Sequence, residues 1–153
     1  MTQQNQAVEM RRAVLRADGG APTGDNTPQG GMRLAVMGVG AVGRSVAELA
    51  GEYGHDVTAL ADSGGAVVDA EGIDVDAALE SKDRTGTVAD NAHTEAALAA
   101  DYDVLVEVTP TTLGDAQPGF SHVEAALKRD RHVVLANKGP VAERFRDLVA
   151  RQR

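Results

Sequence analysis

Arg33-Leu34-Ala35-Val36-Met37-Gly38-Val39-Gly40-Ala41-Val42-Gly43 runs from a short apolar segment straight into three glycines spaced G-x-G-x-x-G. Arg33–Met37 reads as a strand. Beyond the glycines, Val42, Val46 and Leu49 recur at helical spacing, so a helix follows and stops near Gly54. A strand that passes through such glycines into a helix is where a phosphate-binding turn forms. Gly38 would permit the tight turn, Gly40 would let a phosphate approach the backbone, and Gly43 would let the helix pack close to the strand. The loop residue Val39 and the helix start at Ala41, Val42 and Gly43 would then present free N–H groups, at the positive end of the helix dipole, to the anion. A glycine-rich turn that binds nothing is the alternative.

The rest of the chain alternates strand and helix, which predicts a Rossmann-type α/β fold: a parallel sheet with helices on both faces. Val57–Ala61 is the second strand. Val75 and Leu79 mark a short helix after Asp74, and Thr94–Ala100 another. Asp103–Thr109 is a third clear strand and His132–Asn137 a fourth. Between them Ser121-His122-Val123-Glu124 has the form of a capping box that opens a helix through Arg129. Gly139-Pro140 starts a last helix, with Val141, Phe145 and Leu148 on its inner face. No strand follows it, so the sheet is expected to be incomplete at its C-terminal side.

Composition narrows the function classes. A net charge of −8 argues against nucleic acid, which demands a basic face. The longest apolar runs are too short to cross a bilayer, and no signal-peptide pattern opens the chain. With no cysteine there is neither a disulfide framework nor thiolate metal chemistry. A cytoplasmic protein is expected. Lysine is confined to Lys82, Lys128 and Lys138. Few lysines and many acids resemble the balance of proteins adapted to high salt. Residues 1–31, rich in Gly, Pro, Asp and Asn toward their end, read as a disordered tail, and Met32 as an alternative start; residues 32–153 form the domain.

Asp62 ends the second strand, where a carboxylate can accept from the ribose hydroxyls of an adenosine. A 2′-phosphate there would meet a like charge at a cost of roughly 1–4 kcal/mol, which favours NAD over NADP. Two arrangements would undo that preference: Ser63-Gly64-Gly65 turning Asp62 away to cap a turn, or Arg84 folding over the phosphate. The four histidines, His55, His93, His122 and His132, have no second histidine or carboxylate at ligand spacing. They are expected to be solvated or locally bonded, and no catalytic residue or metal ligand is assigned.

Two further segments, Glu107-Val108-Thr109-Pro110-Thr111-Thr112 and Leu135-Ala136-Asn137-Lys138-Gly139-Pro140, lie at the carboxyl ends of strands, on the side of the glycine turn. With Ala61-Asp62-Ser63-Gly64 and Pro118-Gly119-Phe120-Ser121-His122, they make the chain similar to the N-terminal domain of homoserine dehydrogenase, from about Met32 onward. That resemblance implies an oxidoreductase interconverting aspartate semialdehyde and homoserine, on the route to threonine and methionine, with NAD or NADP as cofactor. It implies that Gly38 to Gly43 hold the pyrophosphate, that Thr109 contacts the nicotinamide-ribose side and that Lys138 lies near nicotinamide and substrate. A strand-end hydroxyl capping a turn, and an ordinary surface lysine, are the competing readings of Thr109 and Lys138.

In that family a second, substrate-binding and dimerisation domain supplies the acid/base groups, and these 153 residues do not include it. The chain is therefore expected to bind cofactor without turning over alone. A separate chain carrying the missing half, or a homodimer through exposed apolar surface, would be its partner. A stand-alone dinucleotide sensor and the cofactor domain of an aspartate dehydrogenase-like enzyme are the rival readings.

Overall fold

The computed structural model describes residues 30–151; the expectations for the N-terminal tail concern residues that, up to 29, lie outside these. Five strands form one sheet: β1 Arg33–Met37, β2 Asp56–Ala61, β3 Ala66–Val68, β4 Val104–Glu107 and β5 His132–Leu135, in the order β3-β2-β1-β4-β5. β1, β2, β4 and β5 are parallel, as the alternation of elements predicts. The edge strand β3 departs from that expectation and runs antiparallel to β2. The chain turns back at once through Ser63-Gly64-Gly65, closed by the Asp62 N–H donating to the Gly65 carbonyl at 2.9 Å, so no crossover helix separates the two strands.

The parallel strands are apolar on both faces because helices cover both. Leu34, Val36, Leu60, Val104 and Val106 point to one side, toward α1 (Ala41–Ala50) and α2 (Val75–Thr85). Ala35, Met37, Ala59, Ala61 and Leu105 point to the other, toward α3 (Thr94–Ala99) and α4 (Gly119–Lys128). A last helix, α5 (Gly139–Ala150), packs on α4 through Leu148, Phe120 and Val123.

Two local expectations are corrected, and one helix buries smaller residues than those that mark its spacing. The buried stripe of α1 is Gly43, Ala47 and Ala50, while Val42 and Leu49 are exposed. Close approach of Gly43 to β1 turns the small residues inward and the larger ones out. Helix α4 begins at Gly119, two residues before the predicted capping box, and the Ser121 hydroxyl donates to the Gln117 side chain at 2.6 Å instead of capping. In α5, Val141 and Phe145 are exposed and the inner contacts are Pro140 and Leu148. The helix is interrupted at Arg144, whose backbone leaves helical geometry (φ −130°, ψ 24°) and whose guanidinium lies 4.1 Å over the Phe120 ring.

The turn between β1 and α1 has a single steric solution. Gly38 has φ +105°, and a Cβ there would come within 2.9 Å of the Val108 carbonyl and the Thr109 nitrogen. A Cβ on Gly43 would lie 1.9 Å from the Gly38 carbonyl oxygen. Gly40 is the opposite case, with open space above it. Gly43→Ala is therefore expected to destabilise the fold by about 1–3 kcal/mol, read as a lowered thermal midpoint. Gly40→Ala should cost less than about 1 kcal/mol, the difference between glycine and alanine at an N-cap. Equal midpoints for the two variants would contradict this packing.

Candidate active site

The crevice opens beyond the carboxyl ends of β1 and β4, where the chain order reverses across the sheet and open α/β sheets take their ligands. A cavity of about 480 Å³ fills it, walled by Met37, Gly38, Val39 and Gly40 at the centre. Asp62, Ser63 and Lys82 line one end, and Thr109, Pro110, Thr112 and Pro118 the other. Of the predicted site residues, the cavity thus brings together Gly38, Val39, Gly40, Asp62 and Thr109. Ala41, Val42 and Gly43 stand behind its wall in the first turn of α1. No side chain caps that helix, and its first turn holds no acid. Its leading N–H groups therefore face the open space over Gly40 without a competing carboxylate.

Asp62 is placed differently from the ribose-binding expectation. It is buried, and its Oδ1 accepts from the N–H groups of Gly64 (2.8 Å) and Gly65 (3.0 Å) and from the Thr87 hydroxyl (2.9 Å). Oδ2 accepts from Lys82 Nζ at 2.7 Å and the Val88 N–H at 3.0 Å. Burial pushes this carboxyl up, but Lys82, Gly64, Thr87 and Val88 outweigh it and hold the group below its ordinary range. The turn-capping reading accounts for every lone pair, so the repulsion invoked against a 2′-phosphate is answered by Lys82. Lys82 itself, missed from sequence, lines the cavity beside Ser63. Its place one helix-length away, on α2, gave no local signal.

At the other end lies a cluster that sequence reading also missed. Glu107 closes β4 in phase with Leu105, facing α4, and is completely buried. Its Oε2 meets His122 Nδ1 at 2.6 Å. Its Oε1 accepts from the Thr109 N–H (2.9 Å) and the Thr109 hydroxyl, with Asn137 Nδ2 at 3.5 Å. Asn137, also buried, donates to Thr109 Oγ1 at 3.0 Å and accepts from the Gly139 N–H at 3.0 Å. His122 is thus not solvated or locally bonded as expected, because the early start of α4 carries it onto the inner face. An acid ending an otherwise apolar strand was the available signal, since such a charge must find a partner. Lys138 is exposed at the head of α5; its backbone N–H donates to Thr111 Oγ1 at 3.3 Å, and its side chain is not part of the cavity wall.

Burial pushes the Glu107 carboxyl up, but His122 and Thr109 hold it below its ordinary 4.5. A group depressed in the folded state stabilises above its ordinary value and loses that contribution as pH falls through the lower folded value. Stability is therefore expected to decline below about pH 4.5, and the decline should be shallower in Glu107→Gln. Denaturant midpoints of both proteins between neutral and acid pH check this; parallel curves would contradict it.

Residues 22–114 match the family described as Glutamate/Leucine/Phenylalanine/Valine dehydrogenase. The homoserine dehydrogenase of Methanocaldococcus jannaschii is 33% identical over 134 residues, covering 77% of this chain and 40% of the relative. The chain thus spans about 40% of the length of that relative. A crystal structure from Archaeoglobus fulgidus, assigned to the homoserine dehydrogenases, superposes with a TM-score of 0.66 at 33% identity, covering 79% of this chain and 39% of that one. A hyperthermophilic archaeal homoserine dehydrogenase in complex with NADPH shares the fold, with a TM-score of 0.65 at 23% identity over 79% of this chain and 40% of the other. The family match ends at Gly114, before α4, β5 and α5, so it covers the glycine turn and four of the five strands, β1 to β4. Residues 30–151 are homoserine dehydrogenase-like in sequence and fold, and the chain belongs to the Glutamate/Leucine/Phenylalanine/Valine dehydrogenase family.

Proposed function

We propose that this domain holds the cofactor of an oxidoreductase that interconverts aspartate semialdehyde and homoserine. The observation that carries the reading is the uncapped start of α1 beneath the open space at Gly40, inside one crevice that reaches from Lys82 to Thr109. The donors at Gly40–Gly43 suit a pyrophosphate, and no Cβ obstructs its approach. A bound nicotinamide dinucleotide would supply the hydride chemistry. The residues of this chain would orient it: the α1 start at the phosphates, Lys82 and Ser63 at the adenosine ribose, and Thr109 toward the nicotinamide riboside. For Lys138, exposed at the head of α5 and outside the cavity wall, a carboxylate substrate suits better than the cofactor itself.

The two titratable groups in the cavity wall, Asp62 and Lys82, are paired with each other. Neither is free for proton transfer, which supports cofactor holding as the task of this domain and leaves the acid/base step to another part of the protein or a partner chain. The Asp62–Lys82 pair also removes the ground on which NAD was favoured, because the cation offsets the carboxylate that a 2′-phosphate would meet. Among the described residues no helix is long and apolar enough to cross a membrane. The match to the glutamate-type dehydrogenases supports a second reading, an oxidative deaminase of an amino acid, for which glutamate in place of homoserine is the test substrate.

Titration of the 153-residue chain with NADH and NADPH, followed by nicotinamide fluorescence at high salt, tests the proposal. Both cofactors should bind, and Gly40→Ala should weaken both by about tenfold or more, the equivalent of one or two lost phosphate contacts. Lys82→Met should weaken NADPH by several-fold more than NADH, as expected for about 1 kcal/mol of lost ion pairing. No homoserine oxidation is expected from these residues alone. Absence of binding to either cofactor would overturn the proposal.

A further inference from the structure

We infer that Glu107, locked by His122, is a positioning residue that makes Thr109 an obligate hydrogen-bond acceptor toward a donor group on the nicotinamide riboside half of the cofactor. The inference rests on the cofactor reading above and adds a role for a carboxylate that never reaches the crevice.

A threonine has one backbone N–H, one hydroxyl proton and two hydroxyl lone pairs. Both protons of Thr109 go to the same atom, Glu107 Oε1. One hydroxyl lone pair is taken by Asn137 Nδ2 at 3.0 Å. What the hydroxyl has left toward the cavity, which Thr109 lines, is a single lone pair, and the backbone carbonyl is likewise only an acceptor. The carbonyl of Pro110 beside it is another acceptor, already approached by Asn137 Nδ2 at 3.4 Å. This end of the crevice therefore offers acceptors, while the α1 start offers donors. A dinucleotide carries the complementary order: a phosphate pair, then a riboside with hydroxyl and carboxamide N–H donors.

The polarity depends on Glu107 being a carboxylate. A neutral donor at that position could donate to Thr109 Oγ1 and turn the hydroxyl proton outward. Burial between β4 and α4 fixes the side chain, and the contacts that offset the cost of burying its charge are the Nδ1 of His122 at 2.6 Å on its second oxygen and the two Thr109 donors on its first. Those contacts also hold Oε1 where β4 delivers Thr109, two residues on. Asn137, from the end of β5, closes the cluster and is itself held by the Gly139 N–H. Glu107 thus acts through Thr109 and touches no ligand.

The test compares a whole cofactor with its adenine half in the 153-residue chain. NADPH and 2′,5′-ADP are titrated against wild type, Glu107→Gln, Thr109→Val and Thr109→Ser. Glu107→Gln and Thr109→Val should each weaken NADPH by about tenfold, the scale of one well-placed hydrogen bond. Both should leave 2′,5′-ADP within about twofold. Thr109→Ser should recover NADPH binding. Equal losses on both ligands, or wild-type NADPH affinity in Glu107→Gln, would overturn the inference. Should Glu107→Gln not melt cooperatively, His122→Phe against His122→Gln decides. A selective NADPH loss in the first, restored by the donor of the second, supports it; indistinguishable NADPH affinities refute it. The 3-acetylpyridine analogue, which lacks the carboxamide N–H, locates the donor. A further loss in wild type but not in Thr109→Val assigns the carboxamide, and no further loss assigns a ribose hydroxyl. Failure of wild type to bind either NADPH or 2′,5′-ADP would instead overturn the cofactor reading itself.

Discussion

The crossing of the β1–α1 turn over the end of β4 is the constraint on which the remaining geometry depends. Gly43 rests on the Gly38 carbonyl, and Gly38 rests on the Val108–Thr109 peptide. The Val108 N–H donates to the Met37 carbonyl at 2.9 Å, and the Gly38 N–H to the Ala61 carbonyl at 2.8 Å. Three strand ends are thereby pinned to one turn. Nothing larger than hydrogen fits at Gly38 or Gly43 without moving backbone, and interiors packed this densely yield little. The donor-rich start of α1, the Asp62 end and the Thr109 end are therefore held in one crevice by sterics, before any polar contact contributes.

Two buried carboxylates then stabilise the ends of that crevice, by different means. Asp62 ties the β2–β3 turn to the Thr87–Val88 segment and to α2 through Lys82. Glu107 ties β4 to α4 through His122 and to the start of α5 through Asn137. Buried charges are costly unless their lone pairs are satisfied, and in both cases nearly every acceptor position is used. The consequence is chemical as well as mechanical. Neither acid is available as a base in the crevice, and each determines the charge or hydrogen-bond direction of a neighbour, Lys82 or Thr109, that does line it.

The helices illustrate where local pattern and packing part company. Periodicity located α1, α2, α3 and α5 correctly along the chain, because a recurrence near 3.6 residues is a local property. It misjudged which residues face inward in α5, and it did not say which face of α1 turns inward. In α1 the close approach at Gly43 selects a stripe of glycine and alanines over one of valine and leucine. In α5 the break at Arg144 and its stacking on Phe120 leave Phe145 exposed. The capping-box pattern at Ser121 was overridden in the same way, since starting α4 at Gly119 places His122 against Glu107.

By itself the sequence determined the order of the four parallel strands and of the helices, the glycine turn and the segments at the strand ends. Each of these follows from neighbouring residues: apolar runs, glycine spacing, short motifs. It also supported the resemblance that the comparisons bear out. What tertiary structure alone decided is who partners whom across long separations. Asp62 meets Lys82 and Val88, Glu107 meets His122 and Asn137, and β3 folds back to an antiparallel edge. Those pairings arise from how helices settle on a sheet, and a side chain's hydrogen-bond role is set by the last partner to arrive in space, which no local window of sequence contains.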